Sequence, residues 1–334
     1  MTVHDVHAHI VPRGLVDDLR RHGARHGVEL VREDGSEHLR FDGRVASKPL
    51  RAPFLDVDDR LAHMDRTGVD VQWISPWADT AAYELSRDDA TEYCRWYNDH
   101  LATIMADHPG RFLALANVPL RHPEQAAEEL RRAVVDLGMP GCEITTTVDG
   151  DDLDDPDLEP FWEAAADLRC LVLLHPFRSL KGRGVSRWFT NNMIGNPAES
   201  TVAAAHVILS GVLERNPDLR VGLVHGGGFL PYQLGRLDRG YRMNPDVAGA
   251  RLTRAPSEWA RELLYDTVTH SSPAIRFLID TVGATQVVLG TDHPFEMGDD
   301  DPTATIDAIP GLTADERRLI LSDNVQGLLD GIRR

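Results

Sequence analysis

The sequence contains few cysteines and no long apolar run. Its three cysteines, Cys94, Cys142 and Cys170, lack the spacing of a metal site and cannot all pair with one another, so we expect buried thiols in a reducing compartment. No apolar stretch approaches the roughly 18 residues that a membrane-spanning helix needs. The first apolar run begins almost at Met1 and leaves no room for a basic leader. These absences favour a cytoplasmic protein that does not insert into membranes.

Positive charge is scarce as well. Lysine and arginine together number 35 against 53 aspartates and glutamates, which gives a formal net charge of -18, and only Lys48 and Lys181 are lysines. Such a surface repels nucleic acid and anionic membranes, so neither is an expected partner. A small carboxylate substrate can still bind where an arginine reverses the local field.

The sequence does contain a regular alternation of short apolar runs with longer amphipathic stretches. This pattern is typical of parallel strands, buried on both faces, that each lead into a helix. Eight such units predict an α/β fold, a (β/α)8 TIM barrel, in which residues 1–334 form a single domain. The predicted strands are 3–11, 70–76, 112–119, 141–146, 171–176, 220–228, 262–270 and 286–294, and the predicted helices are about 57–68, 87–108, 123–138, 158–168, 198–216, 231–239, 272–282 and 313–332.

Residues 13–54 interrupt this alternation. The stretch "GLVDDLRRHG" has the pattern of a short helix, and the two alternating runs on either side of "EDGSE" predict a hairpin. Because this helix-hairpin insertion follows the first strand, we expect it to lie over the carboxyl-terminal mouth of the barrel as a lid. The alternative is an insertion that only covers the end of the barrel.

Polar side chains gather at the carboxyl ends of the predicted strands, where TIM barrels place their active sites. His7 and His9 share one face of the first strand, because side chains alternate along a strand. Two buried imidazoles without partners would cost roughly 1–3 kcal/mol each, and a divalent metal removes that cost. With His175 and Asp292 they make a ligand set suited to zinc, with an open position for water or substrate.

His225 precedes three glycines in "VHGGGFLP", where the backbone can approach a ligand closely. A histidine beside a metal is suited to moving protons near neutral pH. Two alternatives remain, a further metal ligand and a structural histidine on a glycine-rich turn. The fourth strand, "GCEITTT", lacks the carboxylated lysine that bridges two metals in such barrels, so we expect a single ion.

The motifs "DVHAHIVP", "LLHPF", "VHGGGFLPYQLGR" and "VVLGTDHPF" resemble, in order and spacing, those of the decarboxylase branch of the amidohydrolase superfamily. The similarity extends over nearly the whole chain. It implies that His7, His9, His175 and Asp292 bind one Zn²⁺, and that His225 and Asp292 act in catalysis, His225 as the acid or base beside the metal. The implied reaction is the non-oxidative decarboxylation of a small unsaturated or aromatic-like carboxylic acid.

The resemblance also implies residues that bind the substrate. Arg51, in "SKPLRAP", matches an arginine that holds a substrate carboxylate in the family, although it could be only a solvated loop residue. Trp77 follows the second strand and either walls the pocket or packs in the core.

Two positions depart from the family pattern. An aromatic residue of the relatives' pocket corresponds approximately to Asn191, with Trp188 three residues before it, and an arginine that reaches across the family's dimer corresponds to Asn244. All three are further candidate substrate-binding residues. Arg239 or Arg242 could replace that arginine. We expect a homodimer with residues 225–246 near the subunit boundary, and a substrate that differs from the dicarboxylate of the relatives.

Fold and metal ligands do not determine the reaction, so other activities stay open. A zinc-dependent hydrolase of a C–N or lactone bond would use the same ligands. A hydratase and a non-catalytic metal-binding scaffold are further alternatives.

Overall fold

Strands and helices alternate along the chain after residue 50, as the sequence pattern predicts. The computed structural model describes residues 1–45, 47–177, 187–244 and 252–333. The strands are β1 (His4–Ile10), β2 (Val28–Glu33), β3 (Ser36–Phe41), β4 (Arg44–Val45), β5 (Val71–Pro76), β6 (Phe112–Ala116), β7 (Gly141–Thr145), β8 (Thr147–Val148), β9 (Asp151–Asp152), β10 (Leu171–His175), β11 (Arg220–Leu223) and β12 (Leu264–Tyr265).

Helices follow most of the sheet strands. They are α1 (Arg13–His22), α2 (Ala52–Leu55), α3 (Val57–Thr67), α4 (Arg87–Asp107), α5 (Pro123–Val135), α6 (Glu159–Leu168), α7 (Asn196–Leu209), α8 (Val212–Arg215), α9 (Leu230–Met243), α10 (Pro256–Ala260), α11 (Ser272–Val282), α12 (Pro302–Asp307), α13 (Ala314–Arg318) and α14 (Asn324–Gly331). Short 3-10 turns lie at Gly23–His26, Ala78–Thr80, Pro156–Leu158, His225–Gly227 and Ala284–Gln286, and π-helical turns at Asn191–Gly195 and Leu319–Asp323. Within the described ranges, no helix is both long and apolar enough to cross a bilayer.

Seven parallel strands form one curled sheet in the order β1-β5-β6-β7-β10-β11-β12. The strands of this sheet lie side by side in the same order in which they follow along the chain. Consecutive βα units produce this arrangement in a TIM barrel. The α/β barrel prediction is confirmed. All carboxyl ends of these strands therefore meet at one mouth.

The predicted eighth strand, 286–294, is not a regular strand. It closes the barrel through isolated parallel bridges, from Val287 to Tyr265 on one side and from His293 to Ala8 on the other. The end of the segment departs from strand geometry, because Asp292 has a left-handed backbone, with φ of 59°, and Pro294 lies two residues later. A left-handed residue turns its side chain out of the strand alternation. The segment thus closes the sheet while directing one carboxylate to the mouth.

The insertion has the predicted helix and hairpin. Helix α1 is followed by an antiparallel sheet of β2, β3 and β4, in which Glu33 pairs with Ser36. The hairpin turns at Asp34 and Gly35, both with left-handed backbones, which is the geometry that an Asp-Gly pair favours. The insertion ends at Phe54, which stacks on Trp77 at the end of β5. Ala46 lies outside the described residues.

The three cysteines are buried and unpaired, as predicted. Most of the apolar core lies between the sheet and the surrounding helices. A smaller cluster includes Val71 and Leu171, the first residues of their strands, together with Val325 and Leu328 of α14. Apolar residues therefore fill the amino-terminal end of the barrel, and polar residues are left for its mouth.

A buried polar network holds β1 between its two neighbours. The guanidinium of Arg60, on α3, donates to the His9 carbonyl and to Gln72 on β5. Gln72 donates to one carboxylate oxygen of Asp5, and the Thr291 hydroxyl donates to that same oxygen. Buried networks of this kind favour one arrangement of the backbone. The strand that carries His7 and His9 is thus fixed on both edges.

Candidate metal centre and active site

Five polar side chains from four places in the barrel meet at its mouth. His7 and His9 lie on β1, His175 is the last residue of β10, His225 follows β11, and Asp292 lies in the closing segment. Donor atoms of His7, His175, His225 and Asp292 all lie within 4.8 Å of one another. His9 Nε2 joins them, 3.1 Å from His7 Nε2. The structure thus brings together every residue predicted to bind metal.

Hydrogen bonds at Nδ1 fix the tautomers of three of these histidines. A carbonyl oxygen or a carboxylate can only accept a hydrogen bond, so each Nδ1 carries the proton. In the neutral ring, Nε2 is then left with a lone pair. The Nδ1 acceptors are Asp266 Oδ2 for His7 at 2.7 Å, the Pro76 carbonyl for His9 at 3.1 Å and the Pro176 carbonyl for His175 at 3.0 Å.

The three Nε2 atoms face one another and a carboxylate. His9 Nε2 lies 3.2 Å from Asp292 Oδ1, and His175 Nε2 has no hydrogen-bond partner among the described residues. Lone pairs that face each other repel, and each buried unpaired nitrogen costs about 1–3 kcal/mol. A divalent cation at this point would accept all of these lone pairs. Three imidazoles and one carboxylate therefore fit such an ion, with zinc among those they suit.

The charges of these groups also suit a metal. Burial opposes ionisation of Asp292, but its hydrogen bond with His225 and the charge of His7 outweigh burial and hold its pKa well below the usual value. Burial lowers the pKa of His7, but its hydrogen bond to Asp266 and the charge of Asp292 outweigh burial and raise it to about 9. A bound cation would displace that proton from Nε2. Burial and the neighbouring histidines keep the pKa of His175 well below its usual value. Asp292 is consequently a carboxylate and His175 a neutral imidazole, which are their ligand forms.

Two buried carboxylates near the centre were missed by the sequence reasoning. Asp266, directly after β12, holds His7, and Glu143, on β7, has Oε1 3.7 Å from His9 Nδ1. Burial raises the pKa of Glu143. Each is a single acidic residue inside an apolar strand pattern, in "LLYDTV" and "GCEIT". A charge in such a place is rarely unpaired, and this was the available signal.

His225 lies on a strained, glycine-rich turn. It has a left-handed backbone, as do Gly226, Gly227 and Gly228 after it. A side chain at Gly228 would overlap the Pro197 carbonyl, so only glycine fits there. Backbone strain of this kind is typical of functional sites. His225 Nε2 lies 3.5 Å from Asp292 Oδ2, the oxygen that does not face His9.

A cavity of about 390 Å³ opens beside His225 and Asp292. Its walls are partly apolar, with Met193, Tyr232 and Phe277 among them. None of the described residues that line it is a lysine or an arginine. The cavity is large enough for a small organic acid, and the lining residues supply no positive charge of their own.

Arg51 and Trp77 lie on the insertion side of the mouth. Arg51 is half-exposed, and its Nη1 lies 2.8 Å from Oε1 of Glu296, just after the closing segment. Trp77 is buried and stacks on Phe54, with ring centroids 4.6 Å apart. Phe295 touches both of these rings as well as the His9 ring. Trp77 is therefore linked to His9 through ring contacts with Phe295.

The other predicted substrate contacts lie on the surface. Trp188 is 82% exposed, and Asn191 lies next to Asn192, which lines the cavity. Asn244 follows the last turn of α9 and lines a separate groove with Tyr241. Lys181 and residues 245–246 of the predicted boundary region lie outside the described residues.

Comparisons with known proteins match nearly the whole chain. A family model described as amidohydrolase matches residues 4–329. The chain is 30% identical over 321 residues to 2-amino-3-carboxymuconate-6-semialdehyde decarboxylase of Dictyostelium discoideum, covering 96% of this chain and 89% of that protein. It is 32% identical over 265 residues to gamma-resorcylate decarboxylase of Rhizobium sp. (strain MTP-10005), covering 75% and 80%. The solved structure of 5-carboxyvanillate decarboxylase from Sphingomonas paucimobilis matches with a TM-score of 0.82 and 25% identity, over 99% of both chains.

Proposed function

Since the chain belongs to the amidohydrolase family, we propose that it is a divalent-metal-dependent carboxy-lyase that releases carbon dioxide from a small unsaturated or aromatic carboxylic acid. The observation that carries the proposal is the convergence of three Nε2 atoms and one carboxylate beside a cavity. The relatives described above are decarboxylases by name.

His7, His9, His175 and Asp292 would hold one ion, with zinc as the proposed metal. Such an ion, when bound, stabilises negative charge that develops on the reacting acid and lowers the pKa of a bound water. The histidine N–H groups that point away from it stay bonded to Asp266 and to backbone carbonyls. This arrangement fixes the ring orientations before any ligand arrives.

His225 is the proposed acid. When the carbon–carbon bond to the carboxylate breaks, carbon dioxide leaves, and the electron pair stays on the remaining carbon. That carbon must gain a proton, which His225 can donate from the cavity wall. Asp292 Oδ2 faces His225 Nε2 at 3.5 Å. The pair thus holds and moves a proton where the cavity meets the metal ligands.

Carbon dioxide release from a panel of acids tests the proposed function. Metal-loaded protein is incubated with pyridine, muconate and aromatic carboxylates, and with amides and lactones of matched size. We expect carbon dioxide from at least one free acid and no hydrolysis of the neutral compounds. Hydrolysis of an amide or lactone without carbon dioxide release would support the zinc hydrolase instead.

Arg51 is proposed to bind the substrate carboxylate by exchanging its bond to Glu296 for one to the substrate. A charge-assisted hydrogen bond is worth about 1.5–3 kcal/mol, so Arg51→Ala should raise KM roughly 10- to 100-fold with a smaller change in kcat. Steady-state kinetics measure both constants. Arg318→Ala removes an equally exposed arginine from another surface ion pair and is the matched control. Equal KM values for the two variants would leave Arg51 as a solvated loop residue.

Trp188, Asn191 and Asn244 are proposed to bind the substrate near a subunit boundary, because four exposed apolar residues, Met193, Phe229, Tyr232 and Phe277, line the cavity. Patches of this kind mark protein interfaces. We propose a homodimer in which Arg239 or Arg242, both exposed on α9, takes the place that Asn244 leaves. Other exposed apolar residues from Trp188 to the end of α9 are Trp188, Phe189, Ile194 and Met243.

Light scattering measures the oligomeric state directly. We expect twice the mass of one chain, and a single-chain mass for the double variant Tyr232→Glu with Phe277→Glu. Val135→Glu changes an exposed apolar residue outside this patch and should leave the dimer intact. A single-chain mass for the unmodified protein would refute the dimer.

A further inference from the structure

We propose that Asp266 is a positioning residue. Its single carboxylate fixes both the ring of His7, a proposed metal ligand, and the turn that carries His225, the proposed acid. Sequence reasoning assigned it no role. The inference rests on the proposed function for the roles of His7 and His225, but its first test does not need catalysis.

The two oxygens of Asp266 serve two different parts of the site. Oδ2 accepts from His7 Nδ1 at 2.7 Å. Oδ1 accepts from the backbone N–H groups of Gly226 at 2.8 Å and Val268 at 3.1 Å. Asp266 is 1% exposed, so these bonds are made away from water. Three accepted hydrogen bonds of this quality leave the carboxylate one orientation.

The bond to Gly226 bears on His225 because the two residues share a peptide unit. His225 and Gly226 both have left-handed backbones, with φ of 55° and 61°, which costs energy at a non-glycine residue. The Nδ1 atom of His225 has no hydrogen-bond partner among the residues that the structure describes. The bond from the Gly226 N–H to Asp266 therefore adds a buried side-chain anchor to a turn that is otherwise held by main-chain bonds, such as that from the Gly228 N–H to the His225 carbonyl.

The residues around Asp266 leave room for its close contact with His7. A side chain at Gly290 would lie 2.9 Å from Asp266 Cβ and 3.0 Å from His7 Cβ, which is closer than real contacts allow. The closing segment thus presents a glycine where His7 and Asp266 meet. The main-chain N–H of Asp266 also donates to the Leu223 carbonyl, two residues before His225, at 3.1 Å. Asp266 is consequently bonded through its backbone to Leu223, the last residue of β11, and through its side chain to Gly226, just after that strand.

Two variants separate the two tasks. In Asp266→Asn, the amide oxygen can still accept from the backbone N–H groups of Gly226 and Val268. Its NH2 group would then face the Nδ1–H of His7, and because both groups are donors, that hydrogen bond is lost. Asp266→Ala removes both functions. Partners that orient metal-binding histidines are typically worth 10- to 100-fold in metal affinity. Both variants should therefore bind metal more weakly, and only the alanine variant should loosen the turn.

The first test measures binding and backbone protection without substrate. Zinc affinity is determined by competition with a chromophoric chelator, and exchange of the Gly226 amide proton is followed by NMR. We expect a roughly 10- to 100-fold loss of affinity in both variants and loss of Gly226 protection in Asp266→Ala alone. Unchanged affinity in both, or equal protection of Gly226 in both, would overturn the proposal. Should the alanine variant fail to fold, Asp266→Ser takes its place in the same comparison.

The second test uses catalysis at saturating zinc. Asp266→Ala should lower kcat about tenfold or more with little change in KM, and Asp266→Asn should retain most of kcat. In a His225→Asn background, the further loss from Asp266→Ala should largely disappear, because the group that it positions is already absent. Fully additive effects would show that Asp266 does not act through His225.

Asp238→Asn is the matched control for a general loss of stability. Its carboxylate accepts two hydrogen bonds from Ser257, between α9 and α10. It should leave zinc affinity and Gly226 protection unchanged. If no acid is decarboxylated by the unmodified protein, the proposed function fails, while zinc affinity and amide exchange still decide the role of Asp266.

Discussion

Replacing His225 with asparagine is expected to lower kcat by roughly 10²- to 10⁴-fold, the usual loss for an acid or base, and to leave the metal content unchanged. Asparagine cannot deliver a proton to the carbon that loses carbon dioxide. The metal should stay, because the three Nε2 atoms and Asp292 Oδ1 converge without His225, which faces the other oxygen of Asp292.

The measurement pairs steady-state kinetics with metal analysis of the purified variant. His100→Asn is the control, since His100 is a partly buried histidine that pairs with Asp18. It should behave like the unmodified protein. His225 also lies within ligand distance of His7, His175 and Asp292. A variant that loses metal together with activity would therefore identify His225 as a further ligand rather than the acid.

Removal of the metal is expected to abolish activity, with a loss of at least 10³-fold, and added zinc should restore it. The lone pairs that a cation joins would otherwise face each other in a buried site, and none of the described residues that line the cavity is a lysine or an arginine that could replace its charge. Asp292→Asn should have the same effect, because it removes the anionic oxygen from the set. Its metal affinity should fall by more than the 10- to 100-fold typical of residues that only support ligands.

Protein prepared without chelators is analysed for zinc, manganese, iron and cobalt, then treated with a chelator and reloaded with each. Asp300→Asn, an exposed neighbour in sequence, controls for the charge change. One ion per chain is expected. Purified protein with no bound cation and full activity would rule out the proposed chemistry.

The convergence of the proposed ligands could be predicted because their positions follow from strand geometry. His7 and His9 lie two residues apart on one strand, and His175 ends another, so a barrel necessarily places them at one mouth. Asp292 was predicted for the same reason, although its segment is not a regular strand. The prediction of its place succeeded because bridges to Tyr265 and Ala8 still close the barrel.

The supporting residues could not be predicted, because their partners are distant in sequence. Asp266 lies 259 positions from His7, and Glu296 lies 245 positions from Arg51. Strand patterns indicate which face a residue occupies, but not which residue of another strand it meets. Trp77 illustrates the same limit, since only the fold shows that its ring is covered by Phe54.

The closure of the barrel by the bridge from Ala8 to His293 determines when the metal centre can form. During synthesis, the first strand emerges long before the segment that contributes Asp292. Domains fold as units once their chain has been synthesised. His7 and His9 can therefore meet Asp292 only after nearly the entire polypeptide has been made. We therefore expect metal loading to follow synthesis of the closing segment, because a nascent chain that ends before residue 292 has the three proposed histidine ligands but lacks the Asp292 carboxylate.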